Sequence, residues 1–367
     1  MGAFLARVWE VLTRRIDSML FACALAIVGV GLVTLFSASD ESIPRVTSQA
    51  MSLAFGIVLM WLFANVAPQT LARVAVPLYV VAVAMLVAVA MSGVVVNGSR
   101  RWLNLGFARF QPSELMKIAL PVMLAWYFQK FEGRVGWRDF VLAAILIVVP
   151  VYLIKRQPDL GTALLIAASG FYVLFLAGLS WRIIVGLVAL GAAVGPLVWS
   201  HLHGYQRERI LTFLDPSRDP LGAGYHSRQA SIALGSGGTV GKGWLNGTQT
   251  HLDFLPERHT DFIFAVFGEE FGLIGAAVLL VLYMLLIGRA MMITAHASTM
   301  FARLLAGAIT LMFFTYAFVN MAMVSGLLPV VGVPLPLVSY GGTALISLFI
   351  GLGILMSVQA HRKLVTT

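Results

Sequence analysis

The sequence contains ten runs of mostly apolar residues, each about 20 residues long, and these runs constrain the fold more than any other feature. A helix of that length crosses the hydrocarbon core of a bilayer. The runs are continuously apolar, whereas the strands of a membrane barrel alternate in polarity. We therefore predict an all-α membrane protein with about ten transmembrane helices in a single polytopic domain, residues 1–367. The runs cover residues 18–38, 49–66, 72–93, 112–128, 139–154, 160–178, 182–202, 262–287, 304–325 and 340–360.

The composition excludes the common soluble classes. Hydrophobic residues make up 59% of the chain and charged residues 11%, whereas an average soluble domain is roughly 25% charged. So few charges cannot cover the surface of a soluble protein of this length. The single cysteine, Cys23, excludes a scaffold of disulfides within the chain.

The distribution of Lys and Arg predicts the orientation of the chain. Short loops rich in these residues face the cytoplasm. With the N-terminus inside, the cytoplasmic segments hold twelve Lys and Arg residues and the short outer loops hold six. An even number of spans places both termini in the cytoplasm and a large loop, about 203–261, outside. The first run is too long for the apolar part of a typical signal peptide, so we interpret it as a retained anchor.

The predicted outer face is unusually basic. It carries at least twelve Lys and Arg residues when the large loop is included. Clusters of cations attract anionic ligands. We therefore expect an anionic ligand on the outer side of the membrane.

The fourth run opens with two charged residues in the motif Gln-Pro-Ser-Glu-Leu-Met-Lys. Glu114 and Lys117 lie three positions apart, on one face of a helix. Ionisable residues within a span are costly and commonly functional. Two interpretations remain: an ion pair that only holds helices together, or part of a polar substrate pocket near Arg100, Arg101 and Arg109.

The eighth run begins beside an Asp and contains a Glu eight positions later. Asp261 lies where a polar loop meets apolar residues, and Glu269 would lie two helical turns away on the same face. Partial burial raises the proton affinity of a carboxylate, which suits a general base. Alternatively, Asp261 caps the helix by accepting backbone N–H groups.

The large outer loop contains a Gly-rich segment, residues 235–244, with Lys242. Backbone N–H groups of such segments can bind phosphate, but an ordinary connection rich in turns is an equal alternative. The segment is not a nucleotide P-loop, because Ser236 and Gly243 stand where that motif requires Gly and Ser or Thr. The loop's acidic and His residues lack a recognised metal-binding spacing, so we predict no dedicated metal site.

Residues 328–342, before the last run, contain three prolines in an apolar context. Proline disrupts helices. Irregular backbone at membrane depth is tolerated only where it is buried in protein or lines a cavity. We therefore predict a re-entrant segment that lines a cavity.

Together these segments resemble the SEDS family, the bacterial proteins of shape, elongation, division and sporulation. The resemblance covers nearly the whole chain, and the stretch Phe254–Asp261 resembles the rod-elongation branch. The motifs that carry it are Arg101-Trp102 and residues 110–114, 157–162, 219–244, 259–270 and 328–342.

The resemblance implies a peptidoglycan glycosyltransferase that polymerises lipid II on the outer face of the bacterial cytoplasmic membrane and releases undecaprenyl pyrophosphate. It implies that Asp261 is the general base that deprotonates the acceptor sugar hydroxyl. It also implies a class B penicillin-binding protein, a transpeptidase, as partner and activator. Our candidate substrate-binding residues are Arg101, Trp102, Glu114, Lys117, Arg207, Lys242, Arg258, His259, Glu269 and Ser325.

The predicted reaction requires a base near the acceptor and cations near the departing pyrophosphate. We expect no tightly bound cofactor, although a divalent cation, Mg or Mn, can accompany the pyrophosphate. One carboxylate suffices in an inverting transfer, because pyrophosphate leaves without a proton donor. The cations predicted on the correct side include Arg101, Lys117, Arg207, Arg209, Lys242 and Arg258.

Two other functions remain open from the sequence. Charges within spans and broken segments also suit a flippase or transporter for lipid II or another anionic lipid, although the two halves of the chain show no internal repeat of the motifs. The third candidate is a noncatalytic scaffold of the elongation complex. For partner docking we predict the lipid-facing sides of the eighth and ninth spans, because small residues permit close helix approach. The eighth run supplies Gly272, Gly275, Ala276 and Ala277.

Overall fold

The computed structural model contains thirteen helices and one small antiparallel sheet within the residues that it describes. Those residues are 14–96, 99–104, 109–132, 135–201, 204, 207, 211–212, 223–252, 254–255 and 257–362. In chain order the elements are α1 (Ser18–Ala38), α2 (Ile43–Asn65), α3 (Pro68–Arg73), α4 (Ala75–Ser92), β1 (Val94–Val96), β2 (Ser99–Asn104), β3 (Arg109–Phe110), α5 (Pro112–Lys130), α6 (Trp137–Lys155), α7 (Leu160–Leu176), α8 (Trp181–His201), α9 (Ala223–Ser236), α10 (Thr248–His251), α11 (Ile263–Ala295), α12 (Met300–Val324) and α13 (Gly342–Ala360).

Each of the ten predicted runs coincides with a helix, which confirms the all-α membrane fold. Among the described residues, seven helices are long and apolar enough to cross a membrane, namely α1, α2, α4, α6, α11, α12 and α13. Helix α7 and the first part of α8 are shorter apolar helices. Helix α5 has 19 residues but carries charged side chains. The exact number of spans and their orientation stay predictions.

Local sequence features determine where several helices begin. The Asp17, Asp159 and Thr299 side chains each accept a hydrogen bond from the backbone N–H three residues later, at the starts of α1, α7 and α12. Such caps satisfy N–H groups that have no partner within the helix. Pro112 occupies the first turn of α5, where its missing N–H has no cost.

Helix α5 lies at the centre of the bundle, in contact with α4, α7 and α12. Nearly all of its residues are buried, including both charged residues of its first two turns. Helix α13 packs along α2, and α11 packs against α1, α9 and α12. The strands form a sheet in the order β1-β2-β3 between the end of α4 and the start of α5. This arrangement brings the polar ends of α5, α11 and α13 toward one side of the molecule.

Helix α11 is broken at Gly272, whose φ of 63° is left-handed. The half-helix before the break, residues 263–271, is almost wholly buried. The Gly-rich segment supplies hydrogen-bond partners on both sides of the break: Lys242 N donates to Glu269 O at 3.0 Å, and Leu273 N donates to Gly238 O at 3.0 Å. A break in an apolar helix requires such partners. The eighth predicted span is therefore a buried half-helix followed by a separate apolar helix.

The same contact explains the glycines of the loop. A Cβ atom on Gly272 would lie 2.3 Å from the backbone N of Gly241, which itself has a φ of 83°. Residues 237–243 thus pack directly on the break in α11, which supports the interpretation as a structural connection. The prediction that Gly272 belongs to a lipid-facing surface is wrong, because this contact buries it.

Candidate active site

Asp261 lies immediately before α11 and is half-buried. Its backbone carbonyl accepts a hydrogen bond of 2.8 Å from Asn320 Nδ2, which also donates to Val333 O at 2.7 Å. A Cβ on Gly332 would lie 3.3 Å from Asp261 Oδ2. Phe262, not Asp261, occupies the N-cap position of α11. Asp261 is therefore held against the segment after α12 through its main chain.

That segment, residues 328–341, is not helical and is largely buried, as predicted for a re-entrant stretch. Ser339 Oγ donates to Thr260 O at 2.6 Å, and Tyr340 N donates to His259 O at 2.9 Å. The segment also reaches Gly31, where a Cβ would lie 2.8 Å from Val338 Cα. Gly31 precedes the end of α1 by seven residues, about 10 Å of helix. The segment therefore descends well below the end of α1.

A cavity of about 30 Å³ lies beside this segment. Residues 334–337 and 339–341 line one wall, and α5, α12 and α13 form the others. Most of the lining is apolar, and Lys117 is the charged residue among the lining residues. The re-entrant segment thus contacts Asp261 at Gly332 and borders the cavity with its next residues.

Glu114 and Lys117 form a buried ion pair at the edge of the cavity. Lys117 Nζ lies 2.6 Å from Glu114 Oε1, and Ser347 Oγ donates to Glu114 Oε2 at 2.7 Å. The ammonium also lies 5.1 Å from the ring centroid of Tyr316. Both sequence interpretations have support, because the pair links α5 to α13 and its Lys faces the cavity.

Glu269 occupies a different environment, fully buried under the Gly-rich segment. Its Oε1 accepts hydrogen bonds from Lys242 Nζ at 2.7 Å, Gln249 N at 3.0 Å and Thr248 Oγ1 at 3.1 Å. Thr250 donates to its Oε2 at 3.2 Å. Because Asp261 precedes the helix and contacts the re-entrant segment, the two carboxylates do not share a helical face. Glu269 holds the outer loop in place.

Two predicted substrate cations are likewise bound to protein groups. Arg101 on β2 donates to Pro158 O at 2.8 Å and lies 3.4 Å from Asp159 Oδ2, so it ties the sheet to the start of α7. Arg258 donates to Thr250 O and to Asp40 Oδ2, so it ties the outer loop to the turn after α1. Such bonds keep these cations in fixed positions.

The remaining candidates occupy varied positions. Trp102 on β2 and Arg207 are half-buried, and Ser325 is exposed at the end of α12. Arg209 lies outside the described residues. Within the described ranges, no three His, Cys, Asp or Glu side chains lie close enough together to hold a metal ion.

His259 precedes Asp261 by two residues and packs beside the cavity segment. Its ring centroid lies 6.0 Å from that of Tyr340. Partial burial, together with the nearby positive charges of Arg45 and Arg258, lowers the pKa of His259 below its usual value. The imidazole is therefore neutral at neutral pH, and its neutral form adds no charge next to Asp261.

A family model described as "Cell cycle protein", covering FtsW, RodA and SpoVE, matches residues 17–364. Peptidoglycan glycosyltransferase MrdB of Escherichia coli K12 is 49% identical over 352 residues, 96% of this chain and 95% of the relative. The chain belongs to the FtsW/RodA/SpoVE family. This membership confirms the SEDS resemblance, and with the apolar helices it identifies a multi-pass inner-membrane protein.

Solved structures agree with the family. A structure described as "Structural coordination of polymerization and crosslinking by a peptidoglycan synthase complex" matches with a TM-score of 0.83 and 36% identity, covering 95% of this chain and 98% of its own. The rod shape determining protein RodA of Thermus thermophilus matches with a TM-score of 0.71 and 32% identity, covering 94% of this chain and 97% of its own.

In this SEDS chain, sequence reasoning missed several polar residues of the site. Asn320 and Ser347 lie inside apolar runs, and a polar residue in such a run is itself a reason to expect a functional role. Asp40 was not recognisable as the partner of Arg258, because 218 residues separate them. Arg45 is an exposed cation that influences His259.

Proposed function

We propose that this chain is a peptidoglycan glycosyltransferase that polymerises lipid II during cell elongation, with Asp261 as the general base. The enzyme class follows from the MrdB relative and the FtsW/RodA/SpoVE family model. The observation that carries the residue assignment is the junction at Asp261, where outer loop, re-entrant segment and α12 meet. Asn320 fixes this residue through its backbone carbonyl.

In the proposed reaction, the hydroxyl oxygen of the acceptor sugar attacks the anomeric carbon of the donor. Asp261 accepts the hydroxyl proton, a new carbon–oxygen bond forms, and the bond from the anomeric carbon to the phosphate oxygen breaks. Undecaprenyl pyrophosphate leaves without needing a proton. Oriented cations stabilise its charge, and a divalent ion carried by the pyrophosphate would contribute in the same way. The active site faces outward.

The predicted cations have two roles, one in holding the outer loops and one in binding the substrate. Arg101, Arg258 and Lys242 hold the outer loops in place through their bonds to protein groups. Lys117 faces the cavity and is the cation that we assign to an anionic part of the substrate. Arg45, exposed and close to His259, is a second candidate for the pyrophosphate.

Asp261→Asn tests the assignment directly. Purified protein, with its transpeptidase partner, is incubated with fluorescent lipid II in detergent, and glycan polymer is measured. We expect the activity to fall at least about 100-fold, the lower end of general-base contributions, at unchanged expression and thermal stability. Glu257→Gln is the matched control, because Glu257 is an exposed carboxylate in the same segment. Near-normal activity of folded Asp261→Asn would refute the base assignment.

A lipid flippase is the second candidate, because a cavity with a buried ion pair beside a re-entrant segment also suits transport. The same preparation distinguishes the functions. Polymer in detergent requires the enzyme, translocation requires liposomes, and a noncatalytic scaffold yields neither.

For the partner we propose a class B penicillin-binding protein whose single span docks on α11 and α12. The neighbour of known structure described as a peptidoglycan synthase complex supports a crosslinking partner. Below its break, α11 exposes a broad apolar face that includes Leu273, Ile274 and Val278, and α12 exposes Phe314 and Phe318. The partner would raise activity by ordering the outer loop that holds Asp261.

Crosslinkers placed on this face and on a control face test the docking site. We expect crosslinks in membranes from Ile274 and Val278 of α11, and none from Val80 and Val81 of α4, which are equally exposed. Contact found only at α1 or α13 would refute the surface. Equal activity with and without the partner would refute activation.

A further inference from the structure

An open recess of about 310 Å³ lies at the end of α5 farthest from Glu114 and Lys117. Ala72 and Arg73 of α3 form one side, and Trp126, Gln129 and Lys130 of α5 form the other. Lys130 follows Lys117 by 13 residues, so the recess is about 20 Å from the cavity along the helix. The recess is therefore separate from the candidate active site.

The recess contains two cations that make no ion pair in the described part of the chain. Lys130 Nζ lies 5.6 Å from the ring centroid of Trp126, a cation–π contact that restricts the motion of the Lys130 side chain at the recess. Arg73 ends α3, a short helix anchored by the buried Pro68 and Leu71. No acidic side chain lines the recess among the residues described here.

The surroundings of the recess suit an amphiphile. Helix α3 connects the long apolar helices α2 and α4, so it lies at a membrane surface. Trp is typical of that depth. Two residues after Arg73, α4 begins, and its exposed Val76 and Val80 follow one turn apart toward the bilayer interior.

We propose that this recess binds the headgroup of an anionic phospholipid. Its phosphate lies between Arg73 and Lys130, Gln129 supplies a neutral hydrogen-bond donor, and the acyl chains follow the exposed aliphatic residues of α4. By the charge distribution of the chain this end faces the cytoplasm, where anionic lipids attract Lys and Arg near the membrane surface. A bound lipid would join α3 to α5, the helix at the centre of the bundle.

Native mass spectrometry of the full chain in neutral detergent tests the site. Phosphatidylglycerol, phosphatidylcholine and inorganic phosphate are titrated separately. We expect a first phosphatidylglycerol to bind more tightly than phosphatidylcholine. In Arg73→Gln/Lys130→Gln its affinity should fall about thirtyfold, because each cation near the surface contributes about a fivefold factor. Arg73→Lys/Lys130→Arg should retain binding.

Arg138→Gln is the matched control. Arg138 is exposed, and its guanidinium lies 5.6 Å from the ring centroid of Trp137, but it does not line the recess. An affinity within about threefold of wild type is expected for it. A loss of about fivefold in this control, equal to that expected from either single variant of the recess, would mean that overall charge attracts the lipid and would overturn the proposal.

The other outcomes are also decisive. Equal affinity for phosphatidylcholine would overturn the proposal, and so would tight binding of inorganic phosphate alone, which would indicate a site for free anions. Thermal stability in detergent without lipid verifies folding of the double variant. If it does not fold, the single variants Arg73→Gln and Lys130→Gln should each lose affinity about fivefold, and no loss in either would refute the site.

Discussion

Two Glu–Lys ion pairs lie in the described part of this protein, and they differ in what surrounds them. In the pair of Glu114 and Lys117, the Lys faces a cavity, and the carboxylate also accepts a hydrogen bond from Ser347. In the pair of Glu269 and Lys242, the carboxylate accepts bonds from a Lys, two Thr hydroxyls and a backbone N–H, and none of its surface is exposed.

The comparison shows that residue type and depth do not determine the role of a charged pair. A carboxylate with all its acceptor positions occupied fixes the segments that bind it, and a ligand would have to displace several bonds at once. A pair that borders a cavity keeps one side available to a ligand. We infer that the first pair serves the substrate and the second the architecture of the outer loop.

Glu269→Ala should have the largest effect on stability. Removing this carboxylate leaves Lys242 and several loop donors without their acceptor, and breaking one partner of a buried pair costs roughly 3–5 kcal/mol. Thermal unfolding in detergent should shift strongly downward, and activity should fall in proportion to the folded fraction. Glu132→Ala is the control, because Glu132 is exposed at a helix end. A stable but inactive Glu269→Ala protein would instead assign Glu269 to the substrate.

Lys117→Met should give the opposite pattern. Glu114 keeps its bond to Ser347, so the stability cost should be about 3 kcal/mol, the lower end of the range for a broken buried pair. Activity should fall at least about tenfold beyond the loss of folded protein, because an ion pair to the substrate is missing. Ser347→Ala, which leaves the Glu114–Lys117 bond intact, should retain most of the activity. A stability loss as large as that of Glu269→Ala would end the distinction between the pairs.

The contrast also explains which features were predictable from the sequence. The ten helices follow from run lengths that a bilayer imposes, and the Glu114–Lys117 pair follows from three-residue spacing on one helix. Hydrogen-bond partners that lie far apart in the sequence could not be predicted from it. The break at Gly272 is stabilised by backbone groups about 30 residues earlier, at Gly238 and Thr239. For the same reason, Arg101 and Lys242 were predicted as substrate cations before their protein partners were visible.

Asn320→Ala tests the junction between Asp261 and the re-entrant segment. Its expected effect on stability is smaller than that of Glu269→Ala. The Asn320 side chain is the shared donor to Asp261 O and Val333 O, and the loss of both bonds should cost about 2–3 kcal/mol in total, because one carbonyl is only partly buried. Activity should fall several-fold more than stability, because Asp261 loses its position. Asn320→Asp should not rescue it, since a carboxylate cannot donate to these carbonyls. Full activity in Asn320→Ala would show that Gly332 and Thr260 hold the segment without it.

The smallest expected effect is the pH dependence of stability that results from His259, beside the cavity. Because burial and neighbouring cations lower the pKa of His259 in the folded protein, the unfolded chain binds a proton at a higher pH than the folded chain does. Stability should therefore fall as pH decreases from the ordinary His pKa, about 6.5, toward the lower folded value. Comparing thermal unfolding at about pH 7.5 and about pH 5.5 measures this loss.

His259→Gln should reduce the loss, whereas His296→Gln, at an exposed site near the opposite end of α11, should leave it unchanged. An identical pH dependence in His259→Gln would mean that the stability loss originates elsewhere, and that protonation of His259 does not disturb its packing against Tyr340.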